Sequence, residues 1–255
     1  MLSDIHGNLE ALRAVLSDLA ARRVDRLLCL GDTIGYGADP DACLSILRAS
    51  QAVCVAGNHE WACIGKLDDR WFNDAARRAV EWTRDRLGFM ELDWLRRLPL
   101  VAADGPCTLV HGTLERPERF EYLVDLAQAV DAARMCDTRY CLIGHTHVPT
   151  VIEYDRQQGR GGRVLGTAQE LTDVSLSEEP AVRYVINPGS VGQPRDGDPR
   201  ASYAILDPEA HRLTVHRVAY DVRATQEKIR QAGLPELLAD RLAVGREVMP
   251  RTADS

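Results

Sequence analysis

The sequence lacks long apolar runs: no stretch approaches the ~18 apolar residues that a membrane-spanning helix needs. It also has no Lys/Arg-rich run, and its net charge of −7 argues against a dedicated nucleic-acid-binding protein. Long nucleic acid is therefore not expected as a substrate. A small phosphorylated molecule remains compatible, because bound metal ions supply positive charge locally. The N-terminus shows no signal peptide, so we expect a cytoplasmic protein without membrane association.

Paired cysteines are also missing. The seven cysteines are scattered and form no Cys-x-x-Cys motif. Cys136 and Cys141 lie close in sequence, but without a second pair they are a weak indication of a zinc site. Most of the others fall in apolar runs, which predicts buried free thiols in a reducing compartment.

The apolar residues, 45% of the chain, are enough for a full core and follow a strand–helix alternation up to about residue 148. Helical spacing predicts helices over residues 8–23, 40–50, 71–98 (one or two helices), 123–136 and from 221 onward. Short apolar runs predict strands over residues 25–32, 51–58, 99–103, 107–111 and 139–145. We find no internal repeat and no long linker, which predicts one α/β domain over 1–255 with C-terminal helices and a tail over 221–255.

The sequence after residue 148 is richer in β structure. The segments TVIEY, VRYVIN, SYAILD and RLTVHRVAY are each bounded by turn residues and predict further strands. Residues 159–166 are rich in Gly and Arg and predict an exposed loop. Residues 250–255 predict a frayed end. His211 and His216 belong to a late hairpin away from every motif, and we expect them to be structural or surface residues.

Polar side chains follow most of the predicted early strands. They are Asp4 and His6, Asp32, Asn58 and His59, His111, and His145 and His147. Ligands bind at the carboxyl ends of strands in open α/β sheets, and the adjacent glycines let the backbone turn there. A single Asp-x-His or His-x-His motif is usually a satisfied turn or core residue, but five such positions together predict a metal site.

The residue types indicate which metals would bind. Carboxylate, imidazole and amide oxygen suit manganese, iron, zinc, cobalt or nickel better than calcium. Asp4 and His6 would face the same way if extended, as would His145 and His147. Seven candidate ligands are too many for one tetrahedral ion, which predicts two divalent ions that share a bridging carboxylate.

The order D-x-H, G-D, G-N-H-E, H-G and G-H-T-H resembles the calcineurin-like metallophosphoesterase superfamily from residue 3 to about 207. The segment INPGSVGQPRDGDPRASYAILD (186–207) resembles its compact bacterial phosphodiesterase-like branch. The resemblance implies a four-layer αββα sandwich with two mixed sheets. It also implies two bound metal ions, a metal-bridging hydroxide as the nucleophile and a histidine proton donor.

By motif position, the resemblance assigns a role to each residue. Asp4, His6 and His147 would bind the first metal, Asn58, His111 and His145 the second, and Asp32 would bridge both. His59 would stand free of the metals and donate a proton to the leaving group. Glu60 would either orient His59 or be a solvated loop residue.

The sequence departs from some relatives near the substrate. Phosphoprotein phosphatases and symmetrical diadenosine tetraphosphatases carry an Arg where Tyr36 and Gly37 lie. Arg195 could supply that positive charge or be an ordinary surface residue. Asn58 and His59, with Tyr36 and Arg195 as further candidates, would then contact the substrate. Residues 61–98 and 113–137 could cover the site; their aromatic side chains predict ordinary helix packing or, alternatively, a platform for a base or aryl group.

These features predict a binuclear metal-dependent phosphoester hydrolase, with phosphodiesters as the first choice of substrate. The alternatives are a phosphomonoesterase (including phosphoprotein phosphatase), a dinucleoside polyphosphate hydrolase and a non-catalytic scaffold of the same fold. The oligomeric state is not indicated. Only Met1, Leu2 and Ser3 precede Asp4, fewer than the ~5–6 residues of a typical strand. We therefore expect a misassigned start or a truncated first strand, and a first metal site that is held more loosely than the second.

Overall fold

The computed structural model describes residues 1–157, 159 and 162–247. Its helices are α1 Leu9–Ala20, α2 Pro40–Ala49, α3 Asn58–Cys63, α4 Asp74–Arg86, α5 Phe89–Arg97, α6 Leu126–Met135, α7 Val222–Gln231 and α8 Glu236–Val244. Its strands are β1 Leu28–Cys29, β2 Val53–Cys54, β3 Val101–Asp104, β4 Cys107–Val110, β5 Tyr140–Leu142, β6 Thr150–Asp155, β7 Arg163–Thr167, β8 Asp173–Ser175, β9 Val182–Asn187, β10 Ala201–Asp207 and β11 Arg212–Val218.

The predicted helices are present, with ends set by local chemistry. In α1, the Asn8 side chain accepts the Ala11 N–H and caps the first turn, while Leu12, Val15 and Leu19 are buried at helical spacing. The region 71–98 forms two helices, α4 and α5. The helix α3 was not predicted, because its first residues also carry the Gly-Asn-His motif at the end of a strand.

Two strand predictions and one loop prediction differ from the structure. The predicted strands 25–32 and 51–58 each contribute only two ladder residues, since the chain then bends toward the proposed ligands Asp32 and Asn58. The predicted loop 159–166 is wrong from residue 163, where β7 begins. That strand is at the edge of its sheet and largely exposed, so it carries no apolar alternation. The prediction for 250–255 lies outside the described residues.

The strands form three hydrogen-bonded sets, and the N-terminal residues join two of these sets into a smaller mixed sheet beside the larger one. The larger has the order β3-β4-β5-β9-β6-β7, with β4, β5 and β9 parallel and the other pairs antiparallel. The smaller combines the parallel pair β1-β2 with the antiparallel strands β10-β11-β8. The N-terminal residues join these two parts: Leu2 N–H donates to Leu28 O at 2.8 Å, and Ala204 N–H donates to Met1 O at 3.1 Å.

The apolar clusters define the layers. One core lies between the two sheets and includes Leu30, Leu109 and Tyr184. A second packs α1 and α2 against the outer face of the smaller sheet. A third packs α6 against the outer face of the larger sheet. The order helix, sheet, sheet, helix is the predicted four-layer sandwich.

The remaining helices pack around one end of this sandwich. The helices α4, α7 and α8 share an apolar cluster with Tyr36. All seven cysteines are free and buried, as predicted. Among the described residues, no helix has the length and apolar character required to cross a membrane.

Candidate metal centre

Five of the proposed ligands adopt a left-handed backbone conformation. The φ angles are 53° at Asp4, 51° at His6, 52° at Asp32, 67° at His145 and 60° at His147. The i, i+2 pairs are therefore not in the extended conformation under which their side chains would face the same way. Non-glycine residues rarely adopt this conformation, and such strain tends to concentrate at functional sites.

Asp4, His6 and His147 form one compact group. The Nε2 atom of His147 is 3.2 Å from Asp4 Oδ1, and the Nε2 atom of His6 is 3.8 Å from the same oxygen. The two Nε2 atoms are 3.1 Å apart. Asp4 Oδ1 is buried and has no hydrogen-bond partner among the described residues. A buried carboxylate oxygen of this kind fits a metal ion, because an unpaired buried charge is otherwise costly.

Asp32, Asn58, His111 and His145 form a second group. The Nε2 atom of His111 is 3.3 Å from Asp32 Oδ2, 3.2 Å from Asn58 Oδ1 and 3.1 Å from His145 Nδ1. The other carboxylate oxygen of Asp32 accepts the His59 N–H at 3.0 Å. Asp32 Oδ2 is also 3.7 Å from His6 Nε2, so this one oxygen faces both groups.

Backbone carbonyls orient three of the imidazoles. The Nδ1 atom of His6 is 3.1 Å from Ile34 O, that of His111 is 2.7 Å from Leu30 O, and that of His147 is 2.5 Å from Gln193 O. An N–H at Nδ1 donates to each carbonyl, so that in the neutral form of each ring the Nε2 lone pair is directed into the site. This is the usual arrangement behind a metal-binding histidine.

Burial and mutual charge set the protonation of the ligands. Burial lowers the pKa of His6, His145 and His147, which keeps these rings neutral and able to bind a metal. Burial acts in the opposite direction on Asp32, but the neighbouring His111, His59 and His6 together outweigh it and hold the pKa of that carboxyl well below its usual value. Burial also opposes the protonation of His111, yet the Asp32 carboxylate raises its pKa to about 10.

His59 lies beside the two groups. Its Nε2 is 4.0 Å from Asp32 Oδ2, so with His6 and Asp32 it could also help to hold an ion. Burial lowers the pKa of His59 to about 4. Tyr36 and Phe72 contact the ring at centroid distances of 4.5 and 4.9 Å. A Cβ at Gly35 would lie 2.2 Å from His59 Nδ1, so the ring position requires glycine there.

Glu60 has a role that neither sequence-based alternative described. The side chain is fully buried, and its carboxylate accepts backbone N–H groups instead of contacting His59. The donors are Asp32 at 2.9 Å, Thr33 at 2.7 Å, Ile34 at 3.3 Å and Gly57 at 2.8 Å. Burial raises the pKa of Glu60 to about 7. Glu60 lies in the first turn of α3, and because that helix was not predicted, this contact was missed from the sequence.

Asp4 is well anchored despite the short chain before it. Its N–H donates to Gly31 O at 3.1 Å, and its carbonyl accepts Ser190 Oγ at 2.7 Å and Gly192 N–H at 3.0 Å. These bonds anchor the Asp4 backbone, while the looser binding of the first metal stays a prediction.

A cavity of 620 Å³ opens over both groups. Leu67, Phe72, Asn73 and Ala76 line it from within 61–98, and residues 118–122 line it from within 113–137. Tyr122 stacks on His145 with ring centroids 3.9 Å apart.

Two further candidates also line the cavity. Tyr36 packs on His6 with a centroid distance of 4.6 Å. The Arg195 side chain is only 13% exposed, so its interpretation as an ordinary surface residue is wrong. His211 and His216 lie elsewhere: His211 precedes β11, and His216 in β11 stacks on Tyr203.

Comparisons with known proteins find relatives that match almost the whole chain. A metallophosphoesterase from Sphaerobacter thermophilus is 44% identical, with a TM-score of 0.81 and coverage of 96% of this chain and 98% of that one. A hypothetical protein from Pyrococcus horikoshii OT3 shares the fold at 19% identity, with a TM-score of 0.73 and coverage of 97% and 98%. An uncharacterized protein of Methanocaldococcus jannaschii is 36% identical over 250 residues, which is 96% of this chain and 97% of that protein.

The family model for the calcineurin-like phosphoesterase superfamily domain matches residues 1–211, which include every proposed metal ligand. The chain therefore belongs to the calcineurin-like phosphoesterase superfamily.

Proposed function

We propose that this protein is a binuclear metal-dependent phosphoester hydrolase. The observation that carries the proposal is the Asp32 carboxylate, whose Oδ2 faces His111 at 3.3 Å and His6 at 3.7 Å. Mixed oxygen and imidazole ligands suit two divalent ions among manganese, iron, zinc, nickel and cobalt. Such ions, when bound, supply a hydroxide nucleophile near neutral pH and offset charge on the phosphoryl oxygens.

In this proposal, Asp4, His6 and His147 hold the first ion and Asn58, His111 and His145 hold the second. His59 stands at the cavity wall and donates its proton to the departing oxygen. Burial holds the pKa of the free His59 to about 4, so an arriving anionic phosphoryl group would be needed to favour its protonated form. Tyr36 and Phe72 fix the ring so that this proton is delivered in one direction.

Phosphodiesters are the first substrate class that we propose. The cavity has walls on two sides, from 67–76 and from 118–122, and its volume of 620 Å³ leaves room for substituents on both ester oxygens. A concave cavity with two walls also agrees with a small molecule instead of a long nucleic acid. A dinucleoside polyphosphate would fit the same description, and the substrate panel below includes one.

Phosphomonoesters are the second candidate, and Arg195 is the observation that favours them. Its guanidinium lies at the cavity wall close to Tyr36 and Tyr122. A buried arginine beside two metal ions would suit the extra negative charge of a monoester dianion.

The test is to purify the protein, measure bound metal, and assay aryl mono- and diesters, cyclic nucleotides, dinucleoside polyphosphates and a phosphopeptide. We expect hydrolysis that requires a divalent metal and is abolished by Asp32→Asn. His59→Ala should slow poor leaving groups by ~10²–10⁴-fold and activated aryl esters much less. His211→Ala is the matched control and should retain full activity.

Failure to hydrolyse any of these esters with any of the five metals would favour the non-catalytic scaffold. Full activity of His59→Ala on a poor leaving group would exclude the proton-donor role.

A further inference from the structure

Arg241 is a charged side chain buried beneath the candidate metal centre. It belongs to α8, which carries none of the proposed ligands, yet only 4% of the residue is exposed. It is not among the described residues that line the cavity, so contact with a substrate does not explain its charge. Burial of a guanidinium is costly unless specific partners receive its hydrogen bonds.

The principal partner of Arg241 is Gln193, which also supports a proposed metal ligand. Arg241 Nη1 donates to Gln193 Oε1 at 3.1 Å. The backbone carbonyl of the same Gln193 lies 2.5 Å from His147 Nδ1, and its Oε1 also accepts Arg195 Nη2 at 3.3 Å. One glutamine therefore connects Arg241 to a ligand of the first metal and to the arginine of the cavity wall.

Arg241 has a second contact with the site through Tyr36. Its Cζ atom lies 5.4 Å from the centroid of the Tyr36 ring, a distance that suits a cation–π interaction. The same ring packs against His6 at 4.6 Å and His59 at 4.5 Å between centroids. Through the Tyr36 ring, Arg241 is therefore in indirect contact with a proposed metal ligand and with the proposed proton donor.

The end of α8 is attached to the loop that carries Gln193 and Arg195. Gly197 N–H donates to Gly245 O at 2.8 Å. Gly245 ends the helix in the left-handed conformation, with φ 61°, and a Cβ there would lie 2.5 Å from the Asp198 carbonyl carbon. These contacts hold the end of α8 against the loop and so fix the position of Arg241 relative to Gln193.

We propose that Arg241 is a positioning residue that holds Gln193 and Tyr36 in place, and through them His147, His6 and His59. The proposal rests on the metal centre described under the proposed function. A purely structural role would need only an apolar side chain, because α8 already packs through Leu238, Ala239 and Leu242. The guanidinium is required only if its donors to Gln193 and its charge over Tyr36 matter for the site.

The first experiment compares Arg241→Met with Arg241→Lys in the full-length protein. Manganese affinity is measured by competition with a chelator, and kcat and KM are measured on an aryl phosphodiester. Loss of an outer hydrogen bond to a metal-binding histidine typically weakens metal binding ~10–100-fold. We expect Arg241→Met to weaken manganese binding and to lower kcat by at least about tenfold, while Arg241→Lys recovers part of both because it keeps a donor.

The control is Arg230→Met on the neighbouring helix α7. Arg230 forms exposed ion pairs with Glu236 and Asp240 in α8, so this variant disturbs the same helix pair without touching Gln193. We expect its manganese affinity and kcat to be unchanged. If Arg241→Met lowers only thermal stability and leaves manganese affinity and kcat at control values, the proposal is wrong. If Arg241→Met does not fold, the manganese affinity and kcat of Arg241→Lys are compared with the control values instead.

A double-mutant cycle with Gln193→Ala separates the effect that Arg241 has through Gln193 from the effect that it has through Tyr36. If Arg241 acts on metal binding through Gln193, Arg241→Met should weaken manganese binding much less in the Gln193→Ala background than in the native one. Full additivity of the two losses in metal affinity would contradict that route. The metal readout also distinguishes the two proposals: a shift in manganese affinity without hydrolysis of any ester would retain the positioning role and reject the enzyme.

Discussion

Glu60 shows how one buried carboxylate can hold two ligand-bearing loops together. Its oxygens accept N–H groups from residues 32–34 on one loop and from Gly57 on the other. Asp32 and Asn58, which belong to these loops, are proposed ligands of the second metal. The spacing of these two ligands therefore depends on a side chain that would not touch either metal ion.

Glu60→Gln should weaken both folding and metal binding. The amide replaces one acceptor oxygen with an NH₂ group that faces backbone donors, which leaves buried N–H groups without partners. The expected loss is about 1–3 kcal/mol in the free energy of unfolding, measured by urea denaturation of the metal-free protein. The exposed Glu81→Gln on α4 is the control and should change little. Equal stability and metal affinity in Glu60→Gln and native protein would contradict this role.

Arg195→Met should affect monoesters more than diesters. The guanidinium lies at the cavity wall, and a lost charge-assisted hydrogen bond of ~1.5–3 kcal/mol corresponds to a ~10- to 100-fold change in affinity. We expect KM for an aryl phosphomonoester to rise within that range and KM for the matching diester to rise less. Arg212→Met, at an exposed pair with Asp173 on β11 and β8, is the control. An equal rise for both substrates would show that Arg195 does not select for charge.

At the level of secondary-structure elements, the short strands β1 and β2 matter because of the loops that follow them. Each contributes two ladder residues, and the chain then turns into Asp32 or Asn58. The motifs predicted that these residues meet, because parallel strands end at the same edge of a sheet. The left-handed backbone at Asp4 and His6 could not be predicted, since local sequence preferences favour other conformations for these residue types.

Gly57→Ala should displace Asp32 and so reduce metal binding. A Cβ at Gly57 would lie 2.1 Å from Asp32 Oδ1, and neither group can move without disturbing the loop that Glu60 holds. We expect a loss of at least about tenfold in metal affinity, measured by chelator competition. Gly105→Ala tests the alternative of general destabilisation: Gly105 has φ 54° but no neighbour within 4 Å of a Cβ. It should lower stability without lowering metal affinity.

At the scale of the whole molecule, the site is assembled from most of the chain. The sequence motifs predicted the seven proposed ligands and His59, because each motif is short and lies beside a recognisable apolar strand. Arg241 could not be predicted in this way: it lies in a helix without a motif, and Gln193, its partner, is 48 residues earlier in the sequence. Such contacts depend on how α8 docks, which the local pattern of apolar residues does not specify.

This distribution of ligands makes metal removal a test of the whole fold. The proposed ligands come from segments between Asp4 and His147, so bound ions would link both sheets and stabilise only the folded state. Metal at 100 times its dissociation constant would add ~2.7 kcal/mol per site. We expect the melting temperature to fall on chelation, to recover with added manganese in a concentration-dependent manner, and to show little of either change in Asp32→Asn. A melting temperature that changes with neither chelator nor manganese would mean that no ion binds across these segments. The proposed chemistry would then have no basis.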